Sequence, residues 1–188
     1  LGWEPDQAWR DRVMQGTARV PGCSASNVSA QGLVLTNHHC VIACVQTLST
    51  ADANYLDAGF MARTREQERR CPGMYVQVLM HITDVTDQIN AAAAGVPPEG
   101  FAHARDAVVA RLQGQCTSAA QRCEVVTLYQ GGRYALYTYR RYDDVRLVFA
   151  PEHQAAAFGG DADNFNFPRY DADFAFVRLY ENGAPAAT

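Results

Sequence analysis

Gly32-Leu33-Val34-Leu35-Thr36-Asn37-His38-His39-Cys40 is the stretch on which the reading of the fold turns. A short apolar run of strand character ends in a polar turn, and that turn sets two imidazoles beside a cysteine. A strand is rigid and its exit faces solvent, so an imidazole at that point is fixed in place yet reachable, as a general base must be. On the upstream side, residues 23–35 read as strand, turn at Ala30-Gln31-Gly32 and strand, a hairpin leading into the His turn. On the downstream side, residues 41–48 read as a short helix.

Farther out, residues 3–15 carry Trp3, Trp9 and Val13 among charges and suggest a short helix, followed by a turn at Pro21-Gly22. Residues 54–60 read as loop. Thr64 and Gln67 have the form of a capping box, which predicts a brief helix over 65–70 ahead of Pro72-Gly73. Residues 74–81 are rich in Val, Tyr and Leu and read as strand. Two helices are expected over 84–94 and 101–112, the second with Phe101, Ala104, Val108 and Leu112 on one face and Gly114 at its C-cap. Strands follow over 124–129, 133–139, 144–149 and 173–180, and Tyr134, Tyr137, Tyr139 and Tyr142 read as cross-strand pairs on a twisted sheet. Short strands with a small helical excursion near 84–113 point to a mainly β barrel or sandwich rather than to alternating βαβ units.

The chain has 188 residues, 48% hydrophobic, enough for one core or a core with a small appended subdomain. Its formal net charge of −4, with both signs spread along the chain, implies neither nucleic acid nor an anionic membrane surface as partner. No apolar run approaches the roughly 20 residues needed to span a bilayer. No signal sequence is read at the start, and Leu1 and the final Ala-Pro-Ala-Ala-Thr read as cut points. Six cysteines, at 23, 40, 44, 71, 116 and 123, favour disulfides and an oxidising compartment. The rival is a structural zinc site drawn from His39, Cys40, Cys44 and Cys71.

Chemistry is expected at two places. Residues 159–174 combine an entry glycine pair, aromatics at Phe165 and Phe167, and Asn164, which offers both a donor and an acceptor. Asp161 and Asp163 resemble the opening of a calcium loop, but Phe165 occupies the next ligand position and the required Gly is missing, so calcium is set aside. Asp173 stands immediately before an apolar strand, where a carboxylate must find a partner, and His39 is the one with a use for it. Together they suggest two members of a Ser-His-Asp system. The third is missing: none of the serines, at 24, 26, 29, 49 and 118, lies in a nucleophile-type Gly-x-Ser-Gly.

Cys23 followed by residues 32–40 resembles the strand-turn-His-Cys element of chymotrypsin-like peptidases. The doubled His in Leu35-Thr36-Asn37-His38-His39-Cys40 resembles the bacterial dipeptidyl-peptidase 7 and 11 family. Residues 55–65, 124–152 (around Arg141-Tyr142-Asp143-Asp144-Val145-Arg146) and 159–180 agree with it, so the resemblance covers most of the chain.

The resemblance implies a chymotrypsin-like β-barrel with short helical insertions, part of a double-barrel serine exopeptidase that removes dipeptides from the free amino end of peptides. Residues 1–188 would be the amino-terminal part of the catalytic domain, without the helical cap and the Ser-bearing second barrel. By position His39 matches the catalytic His, Asp173 the catalytic acid, Asn164 the residue binding the substrate's terminal amine, and Phe165 a wall of that site. The sequence departs from the family's usual tryptophan at Phe165 and Phe167, and from its usual glycine at Ala172. The resemblance further implies a periplasmic or cell-surface location in a Gram-negative bacterium, no cofactor, and peptide substrates with a free amino terminus. It leaves a homodimer of the full-length protein open. As in other chymotrypsin-like barrels, Cys23 is expected to pin the His loop through Cys40. Cys116 is expected with Cys123, and Cys44 with Cys71. The alternative outside this class is a non-catalytic peptide-binding domain or the structural zinc domain.

Overall fold

Asp6 opens the first helix: its carboxylate accepts from the Trp9 N–H at 2.7 Å, and α1 runs Gln7–Gly16 in the computed structural model, which describes residues 2–158 and 171–188. The chain divides into two compact units, Leu1–Val76 with Tyr142–Thr188, and Gln77–Arg141.

In the first unit the helix hands over to β1 (Thr17–Val20), not foreseen in the sequence, which turns at Pro21-Gly22 into β2 (Cys23–Asn27). β3 (Leu33–Thr36) returns against β2, with Ala25 opposite Thr36. The segment expected to be a polar turn is already helix: α2 spans His38–Leu48 and turns His38, Val41, Cys44 and Val45 inward. Then come α3 (Tyr55–Ala58), capped by Asn54 through the Leu56 N–H at 3.1 Å, and β4 (Phe60–Met61), where loop was expected. The capping box fails. Thr64 makes no cap bond and Gln67 Oε1 accepts from the Arg63 N–H at 2.8 Å, so only a 3-10 turn forms at Arg65–Gln67. Arg69–Arg70 is drawn instead into a strand, β5.

The second unit opens with β6 (Val76–Asp84) and continues with α4 (Thr86–Ala93), α5 (Pro98–Cys116), β7 (Gln121–Leu128) and β8 (Arg133–Tyr142). The strands lie in the order β6-β8-β7, so the excursion takes strands with it and is wider than 84–113. Its core is Val85, Ile89, Leu112 and Tyr134, packed by Val108, Val109, Val125 and Leu136. Gly114 does not stop α5. The last turn is anchored to β7 twice, by Gln113 Oε1 accepting from the Val125 N–H at 2.9 Å and by the Cys116–Cys123 disulfide. Tyr134, Tyr137 and Tyr139 share one strand and face Thr127, Glu124 and Arg122 of β7, so their partners on that side are not aromatic.

The first unit closes with β9 (Asp144–Ala150), α6 (His153–Ala156), β10 (Ala175–Glu181) and β11 (Ala184–Pro185). Its strands run antiparallel in the order β4-β9-β10-β3-β2-β1, with β5 also on β9 and β11 on β10. The expected mainly β class is the observed one, with the sheet mainly antiparallel. Val34, Val145, Leu147, Ala175, Val177 and Leu179 are all fully buried, the period-2 alternation that fixes register. α2 packs on β9, and disulfides tie it down at two points, Cys23–Cys40 in its first turn and Cys44–Cys71 further along.

On the face of β10 opposite Val177 and Leu179, Arg178 Nε donates to Glu68 Oε1 at 2.9 Å and its Nη1 donates to the Gln31 carbonyl at 2.9 Å. Glu68 is only 3% exposed, and a carboxylate so buried is tolerable because the guanidinium stands against it.

Gly32, where the hairpin enters β3, has φ +68, and a Cβ there would meet the Leu179 carbonyl at 2.8 Å. The Leu179 N–H donates to the Gly32 carbonyl at 2.9 Å, so this close approach is part of the sheet itself. Gly22 has φ +76 and open space around it. Gly32→Ala is therefore expected to cost about 2–4 kcal/mol, adding a backbone clash to the left-handed penalty, and Gly22→Ala only about 1–2 kcal/mol. Denaturant unfolding of the two variants checks this; equal losses would remove the β10 contact as the cause.

Candidate active site

The antiparallel register of β3 and β10 sets Ala175 opposite Thr36, so the residues entering β10 lie beside the residues leaving β3. Asp173 is on the first of these segments, and Asn37, His38 and His39 are on the second. Sheet geometry alone brings together residues far apart in sequence.

Asp173 and His39 are joined at two points. The His39 main-chain N–H donates to Asp173 Oδ1 at 3.0 Å, and His39 Nδ1 lies 2.8 Å from Oδ2. A carboxylate can only accept, so Nδ1 carries a proton, and in the neutral ring Nε2 is the nitrogen with the lone pair. The first of these bonds is a helix cap supplied from the segment entering β10, since it satisfies an N–H in the first turn of α2. The amide of Asn37 adds a third bond, Nδ2 to Oδ2 at 3.2 Å. Burial pushes the Asp173 carboxyl up, but the His39 N–H, the His39 ring and the Asn37 amide outweigh it and hold the carboxyl below its ordinary range. The acid is 19% exposed and the imidazole 64% exposed, so the pair is anchored on the protein side and open on the Nε2 side. Among the described residues no hydrogen bond is made to Nε2.

His38 behaves differently. Its ring is buried, with the His153 ring centroid 5.6 Å away, and its Nε2 has no hydrogen-bond partner among the described residues. Burial first, and then His153 and His39, hold its pKa below the ordinary value against a raising contribution from Asp173. It is a neutral core residue, and the doubled His thus splits into one inward and one outward ring at the start of a helix.

A groove of about 310 Å³ adjoins the acid, lined by Ser24, Ser26, Leu35, Asn37, Asp173 and Phe174 among others. Phe174 also lines a second, apolar groove with Met61, Phe149 and Phe176. Asn164 and Phe165, and with them Asp161, Asp163 and Phe167, lie outside the described residues. The zinc set His39, Cys40, Cys44 and Cys71 is not available as drawn, because all six cysteines are spent in the three disulfides. Asn37 and His153 were not singled out in the sequence. A helix start placed at 38 rather than 41 would have marked Asn37 as the cap position.

The family model described as Peptidase S46 matches residues 1–188. The chain belongs to the peptidase S46 family. It is 37% identical over 161 residues to dipeptidyl-peptidase 7 of Porphyromonas gingivalis, covering 85% of this chain and 23% of the relative. With the Asp/Glu-specific dipeptidyl-peptidase of Shewanella putrefaciens it shares 35% identity over 168 residues, 88% of this chain and 23% of that protein. Among solved structures it is similar to Porphyromonas endodontalis DPP11 in complex with substrate, at a TM-score of 0.81 and 32% identity, covering 100% of this chain and 30% of that one. This S46 chain therefore spans about a quarter of the length of the curated relatives it matches. Among the described residues, no helix is long and apolar enough to cross a membrane.

At the site, two depressed pKa values give this S46 chain a pH signature. His38 in the folded state lies below the ordinary value of about 6.5, so in that interval the unfolded chain takes up a proton that the folded one refuses. Its contribution is intact above about pH 6.5 and is lost as pH falls below it. Asp173 acts in a lower window: its contribution is intact above the ordinary carboxylate value of about 3.9 and is lost as pH falls through the depressed folded value. The slope of denaturant midpoint against pH should fall in the upper window for His38→Gln and in the lower one for Asp173→Asn, where Asp84 and Asp144 keep the remainder. An unchanged slope in the matching window would contradict the assignment.

Proposed function

We propose that this chain supplies the base and the acid of a serine dipeptidyl-peptidase that releases dipeptides from the free amino end of peptides. The carrying observation is the two-point hold of Asp173 on His39, through ring Nδ1 at 2.8 Å and main-chain N at 3.0 Å. Membership of S46, and relatives named dipeptidyl-peptidases, support the same reading.

In this reading His39 Nε2 takes the proton of a serine hydroxyl as it attacks the scissile carbonyl, and then returns it to the departing amine. Asp173 keeps the imidazole in the tautomer with Nε2 free, and stabilises the imidazolium that forms. The nucleophile would come from the part of the longer protein that the relatives possess beyond the matched region. Asn164 would accept a hydrogen bond from the substrate's ammonium group, with a carboxylate from elsewhere completing the charge match, and Phe165 would wall that site. An exopeptidase must hold a fixed distance from amine to scissile carbonyl, and Asn164 sits close in sequence to Asp173. The three disulfides favour an exported protein, periplasmic or on the cell surface.

The test uses the full-length protein and one dipeptidyl amide, with its amine free and again acetylated. His39→Ala and Asp173→Asn should each lower turnover of the free substrate by about four orders of magnitude. Asn164→Ala should cost about 1.5–3 kcal/mol on the free-amine substrate alone, the loss of one bond to a charged group. The isolated 188-residue chain should show no turnover. Full activity in His39→Ala would overturn the proposal, and equal loss on both substrates would sink the amine-binding role of Asn164.

A further inference from the structure

An Asn at the position before a helix ordinarily turns its side-chain oxygen onto the N–H of the second or third helical residue. Asn37 has the extended backbone of such a cap, φ −78 and ψ 151, yet its side chain makes no cap bond. The N–H it would have served, that of His39, is taken by Asp173 Oδ1 at 3.0 Å. The Asn37 amide nitrogen is turned to Asp173 instead, 3.2 Å from Oδ2 and 3.1 Å from the Asp173 main-chain carbonyl. Both of these are acceptors only, so chemistry requires the NH2 end of the amide to face them.

One side chain thus grips Asp173 at its carboxylate and its backbone together. Oδ2 is the oxygen that also meets His39 Nδ1, so the bond from Asn37 joins the two His39 bonds in fixing which way the carboxylate plane is turned about its last torsion. We propose that Asn37 is a positioning residue that holds Asp173 in the orientation His39 needs. This rests on the reading of His39 and Asp173 as base and acid.

The rival role is helix capping, and the two roles rank substitutions oppositely. As caps, Asn and Asp are equivalent and Ala is worse. As a partner of a carboxylate, Ala loses one donor, whereas Asp sets a second negative charge against Asp173, draws the imidazole toward its protonated form and is the worst of the three. In the full-length protein, Asn37→Ala is expected to lower kcat by roughly 10- to 100-fold, the worth of a bond to a charged group, with KM within about threefold. Asn37→Asp is expected to fall roughly tenfold further, and the acid limb of its pH–rate profile to move to higher pH. Thermal unfolding should leave both variants folded at the assay temperature, showing that the kinetic loss is not a folding loss.

A second readout does not depend on turnover. The pH dependence of diethyl pyrocarbonate modification at His39, located by peptide mass mapping, should move upward in Asn37→Asp. If the parent protein releases no dipeptides while this shift is seen, the peptidase reading fails and the positioning of Asp173 stands. Activity in Asn37→Asp equal to the parent, or no loss of kcat in Asn37→Ala, would overturn the inference.

Discussion

The carboxylate of Asp173 is where sheet and helix meet. It sits at the entrance to β10, accepts the first-turn N–H of α2 with one oxygen, and holds the His39 ring with the other. A helix start left without such a partner would carry an unsatisfied donor. The carboxylate that caps the start of α2 is therefore also the one that aims the imidazole. Folding and site assembly are the same event at this point, because the ring is oriented only when β10 has paired with β3 in register.

That register is protected from several sides. Gly32 lets β10 approach the start of β3 more closely than any side chain would allow. Leu179 and Val177 are fully buried, so a slip by one residue would turn them out and Arg178 in. Arg178 is itself tied to the buried Glu68 and to the Gln31 carbonyl, and Arg146 lies 3.7 Å over the Tyr180 ring on the same strand face. The Cys23–Cys40 bridge pins the first turn of α2 to β2 beside the imidazole. An anchored acid side and an open Nε2 side follow from this, and general-base chemistry on an incoming hydroxyl needs both.

Much of this was legible in the residues. An apolar run ending at His-His-Cys predicts a strand with an imidazole at its mouth, and a carboxylate directly before another apolar strand predicts a partner for it; both follow from local patterns. The start of α2 was not legible, because its cap comes from Asp173, 134 positions away, and nothing near Asn37 announces it. Asn37 was missed for the same reason. The helix expected over 65–70 failed through competition of another kind, since Arg69 and Arg70 pair with β9 and the strand edge outweighs a one-turn capping signal. Gly114 misled because a glycine near a helix end ordinarily stops it, whereas here the following turn is held by β7 and a disulfide. Each of these three is a place where a distant segment overrides a local preference.

The central claim is that His39, aimed by Asp173, presents Nε2 to a serine carried by the longer protein. The most direct measurement is the crystal structure of the full-length protein after reaction with a serine-directed dipeptidyl phosphonate. The account predicts phosphorus bonded to a serine outside residues 1–188, with that serine's oxygen or the adduct within hydrogen-bond reach of His39 Nε2, about 2.6–3.2 Å. An adduct on a serine remote from His39, or an imidazole turned away from both Asp173 and the adduct, would contradict it.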